Sequence, residues 1–475
     1  MFVFIDSAMH VLNPTDRLKK WCKDVLTVSN PEYSKKLRMG FWVGNTPPTL
    51  TLYESHGEGL RIPYGAMSLI PKDILDEGVC VSDFNVGKDV SFDADIPLYD
   101  YQEKAVNAMV NAGYGILQSP AGSGKTQMGL AIAVRLGKKT LWLCHTLDLV
   151  KQSRDRALMY MSPDKIGTIS AGKVEIGSVI TFATVQTMSK LDLDRYETEW
   201  DVIITDEVHR VSGTPTAITQ YEKVLNRLCA KHKYGLSATV HRSDGMIKAT
   251  YALTGKVMHS VSEEDVADKI MKVGVIPLGT EVKMSDEALN YDGTLNYAKF
   301  ITYLTHDSLR NMVISTWLIN HQQYSSLILS DRLDHLQTLM EMLPDSMLEQ
   351  SVMISGRMTS KAGKKERQQA IEDMRSGKKK FLFATYSLAK EGLDIPRLER
   401  LYLTTPQKDY AVIAQSVGRI ARMSKGKADP VVYDFVDDIG YAVKAYKKRC
   451  TTYRKLGAHF MDAEDDEEGR KPCLP

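Results

Sequence analysis

Eight residues constrain this chain more than any others: Ser119-Pro120-Ala121-Gly122-Ser123-Gly124-Lys125-Thr126. They lie between an apolar stretch of strand length, 115–118, and a helix-patterned stretch, 127–136. A turn of small residues between a strand and a helix lets backbone N–H groups close around phosphate oxygens, and the helix N-terminus behind it favours negative charge. Gly122, Ser123 and Gly124 supply that cradle, Lys125 a point charge for the outer phosphates, and Thr126 a hydroxyl for Mg²⁺. Ser119 stands where such loops usually open with glycine. A strand, a phosphate loop and a helix in succession imply a parallel sheet, because parallel neighbours need a crossover.

The same alternation runs through most of the chain. After Leu98, strands are expected at 140–144, 178–182 and 202–205, with amphipathic stretches between them. A second block repeats the pattern, with strands expected at 325–330, 351–354, 381–384, 400–404 and 431–435. Helices are expected there at 333–343, 364–375 and 410–422. The opening residues differ, being turn-rich with short strands. Phe41, Trp42, Leu52 and Tyr53 sit there among Gly40, Gly44, Asn45, Pro47 and Pro48 as a hairpin-like segment. A chain of 475 residues has room for about three domains. The expected division is a small N-terminal α+β domain (1–95), a first α/β domain (96–265), a connector (266–310), a second α/β domain (311–440) and a C-terminal helix with an acidic tail (441–475).

Asp206-Glu207-Val208-His209 follows the expected strand 202–205. Ligands of open α/β sheets sit at that C-terminal edge. Asp206 is expected to hold Mg²⁺ through water, and Glu207 to orient and deprotonate an attacking water. Alone, an acidic pair at a strand end is as often a helix cap; the phosphate loop upstream favours the chemical role.

Asp-Glu-x-His after such a loop resembles the superfamily 2 helicases and translocases, and the rest of their pattern follows in order. Tyr101-Gln102 precedes the loop. Leu143–Val150 and Thr184-Val185-Gln186-Thr187 resemble strand-contacting motifs, with His145 where proline is common. Leu236-Ser237-Ala238-Thr239, then Arg242 and Asp244-Gly245, resemble the coupling motif and its extension. In the second block Ile354-Ser355-Gly356, Ala384-Thr385-Tyr386-Ser387, Glu391-Gly392-Leu393-Asp394 and Gln415-Ser416-Val417-Gly418-Arg419-Ile420-Ala421-Arg422 continue it. The resemblance covers roughly Leu98 to Asp437.

It implies two tandem RecA-like parallel-sheet domains forming an ATP cleft, with ATP and Mg²⁺ bound. Gln102 would read the adenine edge, and Asp394 would contact ribose or an arginine. Ser237 and Thr239 would couple the nucleotide to movement. Thr146, Thr184, Thr187 and Thr385 would meet nucleic-acid backbone phosphates, contacts that carry little sequence information. Charge developing on the transferred phosphate needs a cation. Arg419 and Arg422, three apart on an expected helix and hence on one face, would supply it, with Gln415 beside them.

Asp-Glu-Val-His is not the Asp-Glu-Ala-Asp of the large RNA-helicase group, and Gln415 replaces the histidine usual there. The front segment 30–69 resembles a small N-terminal domain in branch-migrating recombination helicases of tailed bacteriophages, on Gly40-Phe41-Trp42, Leu52-Tyr53 and Pro63-Tyr64-Gly65. Lys35, Lys36, Arg38 and Arg61 would then meet duplex phosphates. Phe41 and Trp42 read either as an aromatic edge or, the favoured reading, as core of a small β domain.

The expectation is an ATP-dependent DNA helicase or translocase, acting as a monomer on single-stranded and on forked or branched DNA. An RNA helicase and a nucleic-acid-stimulated ATPase that clamps or senses without unwinding are the alternatives. No nuclease constellation points to a restriction motor. The net charge of +2 makes any nucleic-acid contact a local matter. Six cysteines without a CxxC pair read as free thiols in a reducing cytoplasm, the host's if the chain is viral. No stretch reads as a signal peptide or membrane span.

Overall fold

The apolar runs after Leu98 pair as parallel strands with few polar residues, which is how strands covered on both faces read. Thr140–Cys144, Ile180–Thr184 and Val202–Asp206 are buried at every residue. The computed structural model describes residues 1–82, 87, 89–120, 122–211, 215–238, 246–266, 270–356, 358, 360–389, 393 and 395–464. Thr239, Arg242, Asp244-Gly245, Glu391-Gly392, Asp394 and the tail after Glu464 lie outside the described residues.

The first large sheet runs, edge to edge, Lys173–Glu175, Ile166–Ser170, Ile180–Thr184, Thr140–Cys144, Val202–Asp206, His232–Ser237, Tyr114–Gln118 and Val257–Ser260. Every pair is parallel except the hairpin between the first two. Asp206 pairs with Leu236, and Ser237 with Gln118. Three neighbouring strands therefore end side by side, carrying the acidic pair, the coupling motif and the phosphate loop. Helix Lys125–Leu136 follows that loop.

The second sheet runs Ser351–Ile354, Phe381–Thr385, Ser326–Ser330, Arg400–Leu403, Val431–Val436, Gly274–Gly279 and His459–Phe460, all parallel. Gly274–Gly279 falls inside the segment read as a connector. Its Val275 and Ile276 are core, but Gly274, Pro277 and Gly279 hide the strand signal. Helix Gly440–Lys455 closes this domain. Arg449 donates from Nε and Nη2 to the two oxygens of Asp434 at 2.9 and 2.7 Å, and Tyr453 adds a hydroxyl donation at 2.7 Å.

One expected helix is shorter than read. It spans Tyr410–Ile420, not 410–422, and ends where Ala421 N–H bonds Val417 carbonyl. Lys427 Nζ reaches back to the carbonyls of Ile420 and Arg422 at 2.6 and 2.7 Å, a cation on the helix's unpaired C-terminal acceptors. Arg422 lies past the helix, in an isolated bridge to Ile270. Arg419 and Arg422 therefore do not share a helical face.

The front segment is a five-stranded sheet in the order Glu54–His56, Gly59–Pro63, Ala8–Leu12, Phe2–Ile5 and Val79–Ser82, with helices Asp16–Val25 and Pro31–Arg38. Its core is shared. Ile218, Met246, Ala249 and Ala252 of the first α/β domain pack with Val3, Met9, Leu18 and Ile62. Lys233, 1% exposed, donates to the carbonyls of Ser7 and Leu225 at 2.6 and 2.7 Å. Burial lowers its pKa to about 7, and a neutral amine carries two N–H groups, one for each carbonyl. Chain contacts group Met1–Pro120 with Gly124–Ser262 in one unit, and Glu263–Pro475 with Ala121–Ser123 in another. Among the described residues no helix is long and apolar enough to cross a membrane.

Candidate active site

The phosphate loop takes the conformation its glycines permit. Gly122 and Gly124 have φ of +88° and +81°. At Gly124 the left-handed conformation favours glycine, and a Cβ there would sit 2.5 Å from Gln102 Nε2 and displace that amide. Lys125 Nζ folds back onto the carbonyls of Ser119 and Pro120 at 3.4 and 3.3 Å. These contacts are long and are readily exchanged for a phosphate. Ser123 is buried, and Thr126 is the second residue of helix Lys125–Leu136. Gln102 is buried against the loop and its Oε1 accepts from Tyr99 N–H at 3.0 Å. The loop meets its neighbour strand where Ser119 N–H donates to Ser237 carbonyl at 2.9 Å.

Two strands away, Asp206 is buried and accepts from Ser153 Oγ at 3.2 Å and from Glu207 N–H at 2.9 Å. Burial raises its pKa and the Glu207 charge raises it further, while Lys125 opposes both. Glu207 has φ +48°, a left-handed conformation that is costly for a residue with a Cβ and persists at functional sites. Its Oε2 lies 3.2 Å from His209 Nδ1, and that nitrogen is 3.0 Å from Ser237 Oγ. Ser237 thus touches the phosphate loop through its carbonyl and the acidic box through its hydroxyl.

Hydroxyl and carboxylate oxygens are the donors that Mg²⁺ prefers. Among the described residues no three His, Cys, Asp or Glu side chains gather to hold a metal by themselves. Thr126 and Asp206 offer oxygens of that kind.

The threonines divide by position. Thr146 caps helix Leu147–Ala157, accepting from Leu149 N–H at 3.3 Å. Thr184 and Thr187 share a hydroxyl–hydroxyl bond of 2.8 Å, and Thr184 is buried. Thr146 and Thr184 follow adjacent strands of the first sheet and lie at its C-terminal edge, as Asp206 does. In the second domain Thr385 Oγ1 bonds Ser387 Oγ at 2.9 Å. Gln415 is buried and its Oε1 has no hydrogen-bond partner among the described residues. Arg419 donates to Leu393 carbonyl at 3.0 Å.

In the front domain, Lys35 and Arg38 are exposed, whereas Lys36 is half-buried, 3.0 Å from Glu32 and donating to Thr46 at 2.7 Å. Arg61 is half-buried and donates to Asn226 carbonyl at 2.6 Å. Phe41 and Trp42 are not core: they are 60% and 88% exposed. Sequence reading also missed Ser153, which holds Asp206 from the neighbouring helix and belongs to no recognisable motif.

Residues 95–242 match a family described as the res subunit of type III restriction enzymes, and residues 307–424 match the helicase conserved C-terminal domain. A protein of Acanthamoeba polyphaga mimivirus named as an ATP-dependent RNA helicase is 29% identical over 74% of this chain and 65% of its own length. Helicase D10 of Escherichia phage T5 is 26% identical over 72% of each chain. The DNA 3'-5' translocase XPB2 of Sulfurisphaera tokodaii is 23% identical over 70% of this chain and 80% of its own. The chain thus spans just under two thirds of the length of the first of these relatives. Among solved structures, S. cerevisiae Dbp5 bound to RNA and ADP BeF3 shares the fold at 18% identity, with a TM-score of 0.54 over 78% of this chain and 92% of that one. With the phosphate loop, the acidic box and two parallel sheets all in place, the chain belongs to superfamily 2 of the helicases, the family whose tandem α/β domains hydrolyse ATP.

Proposed function

We propose that this chain is a DNA helicase or translocase that spends ATP to move along single-stranded DNA and to remodel forked or branched duplexes. The observation that carries the reading is the junction of three strand ends, where Ser237 touches both the phosphate loop and the acidic box. A change at the nucleotide then reaches the coupling motif through one residue.

In this reading Gly122, Ser123, Gly124 and Lys125 bind the phosphates and Gln102 the adenine. Thr126 and Asp206 would hold Mg²⁺, which supplies charge neutralisation at the phosphates. Glu207 accepts the proton of the attacking water, with His209 holding its carboxylate in place. Arg419 and Arg422 supply positive charge to the transition state, Gln415 contacts the nucleotide or the coupling motif, and Asp394 is assigned to ribose or one arginine. Thr146, Thr184, Thr187 and Thr385 track the strand, and Thr239 acts with Ser237.

DNA is favoured over RNA by the Asp-Glu-Val-His box, by Gln415 in place of histidine, and by the likeness to a DNA translocase. The likeness to a protein named as an RNA helicase makes RNA the reading to exclude. ATP turnover with single-stranded DNA, a four-way junction and single-stranded RNA separates them. Stimulation by both DNAs and not by RNA is expected; stimulation by RNA alone would overturn the DNA reading.

A further inference from the structure

The front domain carries a feature that the motor does not use. Between helix Pro31–Arg38 and strand Thr49–Thr51 the chain projects four large apolar side chains into solvent: Leu37, Met39, Phe41 and Trp42. Scattered exposed apolar residues need no explanation, but a contiguous group does.

This projection is built. Asn30 caps the helix, accepting from Glu32 N–H at 3.0 Å, and its amide donates to Pro47 carbonyl at 2.8 Å across the loop. Phe41 N–H bonds Lys36 carbonyl, Thr46 N–H bonds Val43 carbonyl, and Lys36 Nζ ties the helix to Thr46. Gly44, at φ +50°, lies under the Trp42 ring, which would be 2.9 Å from any Cβ placed there. The indole is exposed and lies against Gly44. Beside it opens a hollow of about 330 Å³, whose walls include Asn30, Glu32, Lys36, Asn45 and Thr46. That is the low end of the size of small-ligand sites.

Charge identifies the occupant. Residues 30–48 hold Lys35, Lys36 and Arg38 against Glu32 alone, in a chain that is otherwise nearly neutral. Lys35 and Arg38 are exposed beside the aromatic pair. Cations to follow a phosphodiester backbone, with an exposed aromatic face next to them, are the parts of a stacking platform for single-stranded nucleic acid. A protein partner would be served by the apolar group but gains nothing from the excess of cations.

We propose that Trp42, flanked by Phe41, stacks on an unpaired DNA base, that the adjacent hollow admits the base edge, and that Lys35 and Arg38 contact the phosphates next to it. The proposal rests on the reading of the chain as a DNA motor, and it assigns to the front domain the recognition of the first unpaired nucleotide at a strand junction.

The test uses the full chain without nucleotide, binding a fork with 2-aminopurine at the first unpaired position, and a fully paired duplex of the same length. Stacking on the indole changes the probe's fluorescence. Trp42→Ala should weaken fork binding about 5- to 150-fold, the fold-change for one lost base–aromatic stack. It should also abolish the fluorescence change and leave duplex binding unaltered. Trp42→Phe should keep most of both signals. Unchanged fork affinity in Trp42→Ala, or an equal loss on fork and duplex, would overturn the proposal and leave the apolar group to a protein partner. Absence of DNA-stimulated ATP turnover in the unsubstituted chain would instead refute the DNA-motor reading, a result that the binding assay does not depend on.

Discussion

The two α/β domains are built from the same kind of parallel sheet, but they treat buried charge differently. In the second domain two buried arginines each meet an aspartate. Arg310 donates to Asp437 at 2.7 Å, with Thr280 also on Asp437, and Arg449 clasps Asp434 with two parallel bonds. In the first domain the buried charge is left open. Asp206 stands beside Glu207 with its pKa raised, and Lys125 rests only on long carbonyl contacts. Charges that close on one another hold a fold together. Two acids side by side in a dry site repel one another when both are charged, and a cation from outside would relieve that repulsion.

The first way to sharpen this contrast is Arg422, a half-buried arginine of the second domain that is proposed to act on the nucleotide. Arg422→Ala should lower single-turnover ATP hydrolysis at saturating DNA by at least about a hundredfold, against about 10³–10⁵ for arginine fingers in related NTPases. ATP affinity should hardly change, because the contact is made in the transition state. Lysine at 422 should rescue poorly, lacking the planar fork. An effect on KM alone would break the assignment.

A closed pair should behave in the opposite way. Arg449→Ala leaves Asp434 buried and unpartnered by a cation, which should cost about 3–5 kcal/mol of stability. Denaturant unfolding measures this, and hydrolysis per folded molecule should stay near that of the unsubstituted chain. A stable Arg449→Ala chain would mean that the pair is not structural.

The smallest effect concerns Lys233, the buried lysine that joins the front domain to the first sheet. In the folded chain its pKa falls to about 7, while unfolding returns it to the usual lysine range. Unfolded chains therefore bind more protons between pH 7 and 9, and stability rises with pH there, by at most about 1.4 kcal/mol per unit. In the folded chain neither Cys229 nor Asp6 beside it titrates in that window: burial pushes the Cys229 thiol up to about 11, and the His10 ring and Ala8 N–H hold Asp6 low despite burial. Lys233→Met should flatten the rise; an unchanged slope would place the titration elsewhere.

Much of the motor was legible because its signals are local. A fully buried parallel strand is an apolar run, so Thr140–Cys144 and Ser351–Ile354 were read to the residue. The phosphate loop announces itself by small residues at fixed spacing. What was not legible depends on partners distant in sequence. Gly274–Gly279 looks like a linker until Val431–Val436 pairs with it. The front segment reads as separable, yet its core needs Ile218 and Ala249 from far along the chain. Phe41 and Trp42 carry the composition of a core, and only the fold shows that they face water. The end of helix Tyr410–Ile420 was set by Lys427 folding back, which no local pattern reveals.

The open charges of the first domain are tested most directly by Glu207→Gln. The substitution keeps the side-chain shape and removes the proton acceptor. ATP binding, measured by equilibrium titration with a fluorescent nucleotide, should persist at its normal affinity. Single-turnover phosphate release on saturating single-stranded DNA should fall about 10²- to 10⁴-fold, the range for a lost general base. A fall of less than about tenfold, with binding intact, would mean that another group activates the water and that the acidic pair has been misread.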